Sequence, residues 1–526
     1  MSMKNVSALV DRKENDMYKT ADMVNEAGGK AWKMTDKERV TQAMFTGTMG
    51  NTYYVSQRNL VSEIVDLFKR CAKNEPKFFA ETIVAGRNEG FIRSAPILGL
   101  AMLSKYDIDA FKGIFSDVIR TGNDMQDFMA MVRSLGRGFG RGIKTAMNDW
   151  IEKSANSFYA IKYSKQIGDA VRVSRPVTKD PIFDYIMNKC KGDEDQSEYL
   201  QKHVKKDKKV ATRLKKAFKK YPQIEAHEKA IECLKDGDWD AACTLIEDAD
   251  LNPTTLLAYG NPPTNVWKSL SKKMGTMMYL KYLNKLVSED AILDSVLNSK
   301  INMTALKKAK VFPFRLYVAY SNVSDAKVRN HLANVLDQYV KEYDWGKWNK
   351  KFVIAPDTSG SMTWNSNTSV TPSTIAGMFS GILFKGLDDT VMVPWGSEAE
   401  IYNYPKADSV ITHCDRIKNC NGGGTRLSAP VELMNKNKIK SDVCIFITDN
   451  MNWMDNYEQY FGRSSTTWLD EWKKYKKANP KAKAVLIRVD AYNSKQFDEA
   501  TAEKYDLYQV FGWNDSVLSY IEKVVL

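Results

Sequence analysis

Two hydrophobic periodicities divide the chain. From Thr35 to about residue 341, apolar residues recur at three- and four-residue spacings among charged ones, the pattern of helices that bury one face. Asp36 is placed to cap a helix through Ala43, Met44 and Phe45 that stops at Gly47, and a turn at 48–51 leads into Thr52-Tyr53-Tyr54-Val55. Helices are then expected at 60–73, 76–88, 94–104, 109–119, 124–135 and 140–154, and at 181–191, 223–235, 238–248, 265–284, 290–298, 316–320 and 325–341. Strand signals are almost absent from this half. Short links between helices, repeated over some three hundred residues, point to an α-solenoid whose repeats have lost a clean period.

Past Asp344-Trp345-Gly346-Lys347-Trp348-Asn349-Lys350 the pattern changes to alternation of strand and helix. Strands are expected at 352–356, 390–394, 400–402, 443–448, 484–489 and 508–511, and helices at 374–385, 407–418, 427–434, 466–478 and 516–525. That alternation predicts a doubly wound, mainly parallel sheet. The expected organisation is a polar segment 1–30, an all-α domain 31–345, and an α/β domain 351–526.

The strand expected at 352–356 runs into Asp357-Thr358-Ser359-Gly360-Ser361, a D-x-S-x-S sequence. Open α/β sheets carry their sites at the carboxyl ends of strands, which is where these donors fall. Asn421-Gly422-Gly423-Gly424-Thr425 precedes a helix, and Val443 to Thr448 ends in Asp449. Asp357, Ser359, Ser361, Thr425 and Asp449 are hard oxygen donors suited to a divalent cation, magnesium first and manganese second. The plainer alternative is that the serines cap the next helix and the aspartates sit in turns. Three neutral hydroxyls and two carboxylates leave a divalent ion able to accept an external oxygen, a partner's carboxylate or a phosphate. His413, the nearest histidine in sequence, stands on a polar stretch before the glycine loop, so a docking site is expected rather than a hydrolytic one.

Composition adds three constraints. Seven scattered cysteines with no CxxC pair fit a reducing cytoplasm without structural zinc. The polar first residues show no signal-peptide pattern, and no apolar run is long enough to cross a bilayer, so no membrane partner is expected. The net charge of +13 is unevenly placed: residues 351–526 hold 20 Lys+Arg against 21 Asp+Glu, leaving 57 against 43 for residues 1–350. A basic helical half is the electrostatic footprint of a polyanion binder.

Two clusters carry that charge. The tract 202–220 holds ten Lys and Arg with Asp207 as its one acidic residue, and reads equally as a solvated helix or a phosphate contact. Arg133-Ser134-Leu135-Gly136-Arg137-Gly138-Phe139-Gly140-Arg141-Gly142 and Lys144 put cations and glycines at a helix start, where backbone N–H groups attract phosphate. Close helix packing is the other reading of those glycines.

Gly28-Gly29-Lys30-Ala31-Trp32-Lys33-Met34-Thr35-Asp36, Thr52-Tyr53-Tyr54, Gly140 to Trp150 and Phe312-Pro313-Phe314 together resemble the TROVE module. The five donors resemble the metal-ion-dependent adhesion site of von Willebrand factor A domains. The two modules in this order resemble the Ro family over nearly the full chain, in a bacterial or phage-encoded form. The resemblance implies a ring of HEAT-like repeats closed by the A domain. It implies Y-like small noncoding RNA on a basic outer face and single-stranded 3′ ends of misfolded RNA in the central hole, in RNA quality control, without catalysis. Arg137, Arg141, Lys144, Lys162, Lys165, Arg172 and Arg175 would then form the outer RNA surface, and the metal site would dock an acidic residue of a protein such as an exoribonuclease. The family histidine important for RNA contact has no counterpart in 168–176. Competing classes are a metal-dependent phosphohydrolase or nuclease using Asp357 and Asp449, and a protein-interaction adaptor.

Overall fold

The computed structural model describes residues 21–46, 57–177, 179–190, 208–259, 262–363, 370–420, 422–456, 467–490, 492–512 and 515–526. The turn and extended stretch at 48–55, residues 202–207 of the basic tract and Asn421 lie outside them.

The helical half is built from short helices, several of them capped by a side chain. Asp107, Asn156, Asp238, Asn302 and Asp325 each accept a backbone N–H in the first turn of the helix they precede. Successive helices pack as neighbours: Pro76–Asn88 on Ser94–Tyr106, Ser94–Tyr106 on Ile108–Val118 and Gly122–Ser134, and Arg141–Lys153 on Ser157–Ser174. Their apolar faces make one continuous core, in which Phe111, Phe115 and Phe128 meet at ring-centroid distances of 5.3 to 5.8 Å.

Asp124 ties this layer together. Almost wholly buried, it completes a capping box with Thr121 and accepts bonds from Arg87 Nη2 at 2.8 Å and Arg93 Nε at 2.6 Å.

Several elements differ from expectation. The segment 265–284 is two helices, Thr264–Lys273 and Thr276–Ser288, because Met274 is extended (ψ 134°) and Gly275 follows it. Ser157–Ser174 and Met303–Lys308 are helices that the apolar pattern alone does not single out. Residues 400–402 form no strand, although Tyr402 N–H still reaches the Met392 carbonyl. The Trp-rich stretch is a packed 3-10 turn, Gly346–Trp348, with Trp348 buried and its Nε1 donating to Glu522 at 2.8 Å.

The second half is a five-stranded parallel sheet of β3 (Phe352–Pro356), β4 (Thr390–Met392), β5 (Val443–Thr448), β6 (Lys483–Arg488) and β8 (Leu507–Phe511), in the order β4-β3-β5-β6-β8. β3 and β5 are buried throughout, as apolar runs covered on both faces should be. After β3 the chain goes to one side, to β4, and then crosses to the other, to β5. The β3/β5 gap is therefore the topological switch point.

Both ends of the helical half close onto this domain. At the front, β1 (Met23–Val24) pairs with β2 (Lys30–Lys33), and β2 pairs antiparallel with β7 (Ser494–Lys495) of the α/β domain. The strand β2 thus runs across the position where the polar segment was expected to end. Gln42 Nε2 donates to the Asp490 and Tyr492 carbonyls, and a Cβ on Gly29 would overlap the Asn452 carbonyl oxygen, so only glycine fits there. At the back, helices Pro313–Asn322 and Ala326–Glu342 share a core with Met378, Ile382, Val410, Ile411 and Cys414.

Asp124→Ala leaves the Arg87 guanidinium buried without its counter-charge, and should cost about 3 kcal/mol or more, read as a lower urea midpoint. Asp127→Ala, which removes a surface partner of Arg93, should cost no more than about 1 kcal/mol.

Candidate functional site

The five expected donors are all buried. Asp357 and Asp449 follow β3 and β5 at the switch point. Parallel pairing of Pro356 with Ile447 brings these strand ends level. The Ser359 N–H donates to Asp357 Oδ1 at 2.8 Å and the Thr448 hydroxyl to Asp357 Oδ2 at 2.6 Å. The Ser359 and Ser361 hydroxyl oxygens lie 3.3 Å apart. The Met451 N–H donates to Asp449 Oδ1 at 3.1 Å, and Asp449 Oδ2 is buried with no hydrogen-bond partner.

The glycine loop is held against this group by backbone bonds. Gly360 N–H donates to the Gly423 carbonyl at 2.9 Å, and the Thr425 carbonyl accepts from Trp453 and Met454 N–H. Gly423 holds φ at +112°, and a Cβ on Gly424 would overlap Met454 Sδ, so neither position accepts a side chain without movement.

The helix-cap alternative fails for the serines. Ser359 and Ser361 sit in and beside the 3-10 turn Gly360–Thr363, and helix Pro372–Gly386 is capped by Thr371 instead.

Two carboxylates share a buried site, which is the main electrostatic fact. Burial, and then the Asp449 charge, push the Asp357 carboxyl up to about 7. Burial also raises Asp449, offset in part by the nearby Ser361 hydroxyl. An orphaned carboxylate oxygen among hydroxyl donors is the chemistry that a hard divalent cation fits, with Asp357, Ser359, Ser361, Thr425 and Asp449 as the residues to hold it. His413 is not on a polar stretch by this group. It is fully buried in helix Val410–Lys418, its Nδ1 2.9 Å from the Tyr402 hydroxyl and its ring against Phe384.

The expected RNA residues fall on one loop and two consecutive helices. Arg137 lies in the loop 135–140, and Arg141 and Lys144 in the first turn of Arg141–Lys153, whose N-cap, Gly140, supplies no side-chain bond. A Cβ on Gly136, Gly138 or Gly140 would meet nothing within 4 Å, whereas one on Gly142 would lie 2.5 Å from Ile108. Close packing therefore explains Gly142 alone, and the loop glycines leave backbone open to solvent. Lys162, Lys165, Arg172 and Arg175 are spread along and just beyond Ser157–Ser174, Lys162 to Arg175 spanning about 20 Å. Lys165 and Arg175 are exposed. Lys162 is half-buried over the Phe158 and Tyr163 rings, and Arg172 bonds Asp169 and the Cys190 carbonyl. The described part of the basic tract is a helix, Lys208–Lys220, with Leu214 and Ala217 buried.

Comparison with known proteins fits this arrangement. Residues 351–525 match the family described as the Ro60 vWA domain. The RNA-binding protein RO60 of Deinococcus radiodurans is 21% identical over 509 residues, covering 88% of this chain and 92% of that protein. The crystal structure of the Deinococcus radiodurans RO (RSR) protein superimposes with a TM-score of 0.62 at 17% identity, over 93% of this chain and 99% of that one. The chain is thus similar to Ro proteins over nearly its whole length, and its α/β domain matches their vWA domain.

Within the α/β domain several contributors were not legible as site residues. The apolar pattern marks Thr448 only as the end of a strand, yet its hydroxyl holds Asp357. Arg488, fully buried at the end of β6, donates to Met34 Sδ and the Tyr492 carbonyl and faces the charges of Glu26, Asp490 and Asp449. A lone arginine closing an apolar strand was the available signal. Asp455, also buried, takes bonds from the Ser428 hydroxyl at 2.6 Å and from Asn452, and braces the floor beneath the glycine loop.

A carboxyl raised in the folded state contributes stability that is complete below its unfolded pKa, about 4, and is lost as pH rises through its folded value. For Asp357 that window runs from about 4 to 7. Metal-free protein should therefore lose thermal stability across it relative to Asp357→Asn. Mg2+ should raise the melting temperature of the parent at about pH 8, much less at about pH 5, and leave Asp357→Asn unmoved, as scanning calorimetry would record.

Proposed function

We propose that this chain is a non-enzymatic, cytoplasmic RNA-binding scaffold of the Ro type. The observation that carries the reading is the open, glycine-rich loop 135–140 leading into an uncapped helix start flanked by Arg137, Arg141 and Lys144. Cations and unpaired backbone N–H groups together bind phosphate without reading bases. The relative named as an RNA-binding protein, aligned over most of both chains, supports it. On this reading a structured, Y-like noncoding RNA lies across the loop and the exposed Lys165 and Arg175, and single-stranded 3′ ends of misfolded RNA are held elsewhere on the helical half, for quality control.

The switch-point site is proposed to hold Mg2+, or Mn2+ in its place. Its two carboxylates leave the ion electrophilic, so its role is to dock an acidic residue of a protein partner, of which an exoribonuclease is one. The burial of His413 in the core of the domain and the two-carboxylate donor set favour docking over hydrolysis.

Charge reversal at Arg137, Arg141 and Lys144 should weaken structured-RNA binding at least about tenfold and flatten the salt dependence by roughly one for each phosphate no longer neutralised. Asp357→Ala should leave both unchanged. Filter binding across a salt series measures both, and the opposite pattern would overturn the division of labour.

A further inference from the structure

A second cluster joins aromatic rings to cations far from the loop 135–140. Phe91 follows helix Pro76–Asn88, and Phe312 precedes helix Pro313–Asn322. Though 221 positions apart in the chain, their rings meet edge to face with centroids 4.8 Å apart, and Phe312 stacks on the buried Phe314 at 6.0 Å. Phe91 holds φ at 55° and is the one aromatic among the left-handed non-glycine residues described, the others being Arg, Asp, Lys and Asn. Its ring is not sunk into a core: the residue is 37% exposed.

Two cations border this column. Lys310, itself left-handed at φ 51°, places its Nζ 5.7 Å from the Phe91 centroid, and Arg315 places its guanidinium 4.9 Å from that of Phe314. Both are exposed, and neither has a carboxylate partner among the described residues. An exposed ring at the end of an aromatic column, with unpaired cations beside it, is what unpaired nucleobases and their phosphates require. Every base has a face to stack, and duplex bases have none to spare.

We propose that Phe91, Phe312 and Phe314, with Lys310 and Arg315, form a stacking site for single-stranded RNA, separate from the loop 135–140. A base extends the ring column at Phe91, and the two cations hold the phosphates on either side of it. This deepens the scaffold reading and rests on it, since it assigns residues to the single-stranded ligand.

The probe is a short single-stranded RNA carrying 2-aminopurine, run beside a structured hairpin RNA of the same length. The wild-type chain should quench the probe on binding, as stacking does. Phe91→Leu and Phe312→Leu, which keep apolar bulk, should abolish the quench and weaken the single strand about tenfold, leaving hairpin affinity and melting temperature near wild type. Lys310→Gln with Arg315→Gln should keep the quench at low salt and reduce the salt dependence of single-strand binding. Unchanged quench and affinity in both Phe variants would overturn the site while hairpin binding leaves the scaffold reading in place. A concentration-dependent dimer relieved by Phe91→Leu, without quenching, would assign the patch to a second copy and overturn it too. A wild-type chain that binds neither RNA would overturn both readings.

Discussion

Two carboxylates buried together at the ends of adjacent parallel strands set the terms for the rest of the α/β domain. Asp357 and Asp449 cannot both ionise there cheaply, and Thr448, Ser359 N–H and Met451 N–H donate hydrogen bonds to them. The glycine loop packs beside them, tied to Gly360 and seated on Met454 and Trp453. The sheet order places this pair at its switch point, and the buried arginine at the end of β6 sits behind it as counter-charge. A cation bound there would relieve that repulsion and so stabilise the fold.

The helical half follows a different rule. Its cations are mostly on the surface and its cores are apolar, so binding and folding are nearly independent there. Two buried carboxylates are exceptions among the described residues: Asp124, on which two arginines and a helix cap converge, and Glu228, paired with Lys189. The basic loop 135–140 follows the helix that Asp124 caps, so the cation-rich turn stands on a firmly held element.

Much of this was legible in the sequence, for identifiable reasons. Helices with strong apolar periodicity, such as Pro76–Asn88, and fully apolar strands, such as Val443–Thr448, have the ends the pattern gives them. The D-x-S-x-S run and the two strand-ending aspartates were recognisable because ligand residues at strand ends interrupt hydrophobic runs. What was not legible depends on contacts distant in the chain. The strand Lys30–Lys33 is too short and too polar to signal itself, and exists because Ser494–Lys495 offers it an edge. The break at Met274 and Gly275 lies inside a continuous helical pattern, and Arg488 reads as an ordinary surface cation until the N-terminal hairpin covers it.

That hairpin bears on synthesis as well as architecture. Residues 23–33 leave the ribosome more than four hundred residues before the strand they pair with, an interval of about 20 to 90 s at ordinary elongation rates. Through that time the front of the solenoid has no sheet edge to meet, and the covering over Arg488 cannot form. Closure is therefore a late event in making this molecule, and the nascent chain passes through an open form whose basic surfaces are already accessible to polyanions.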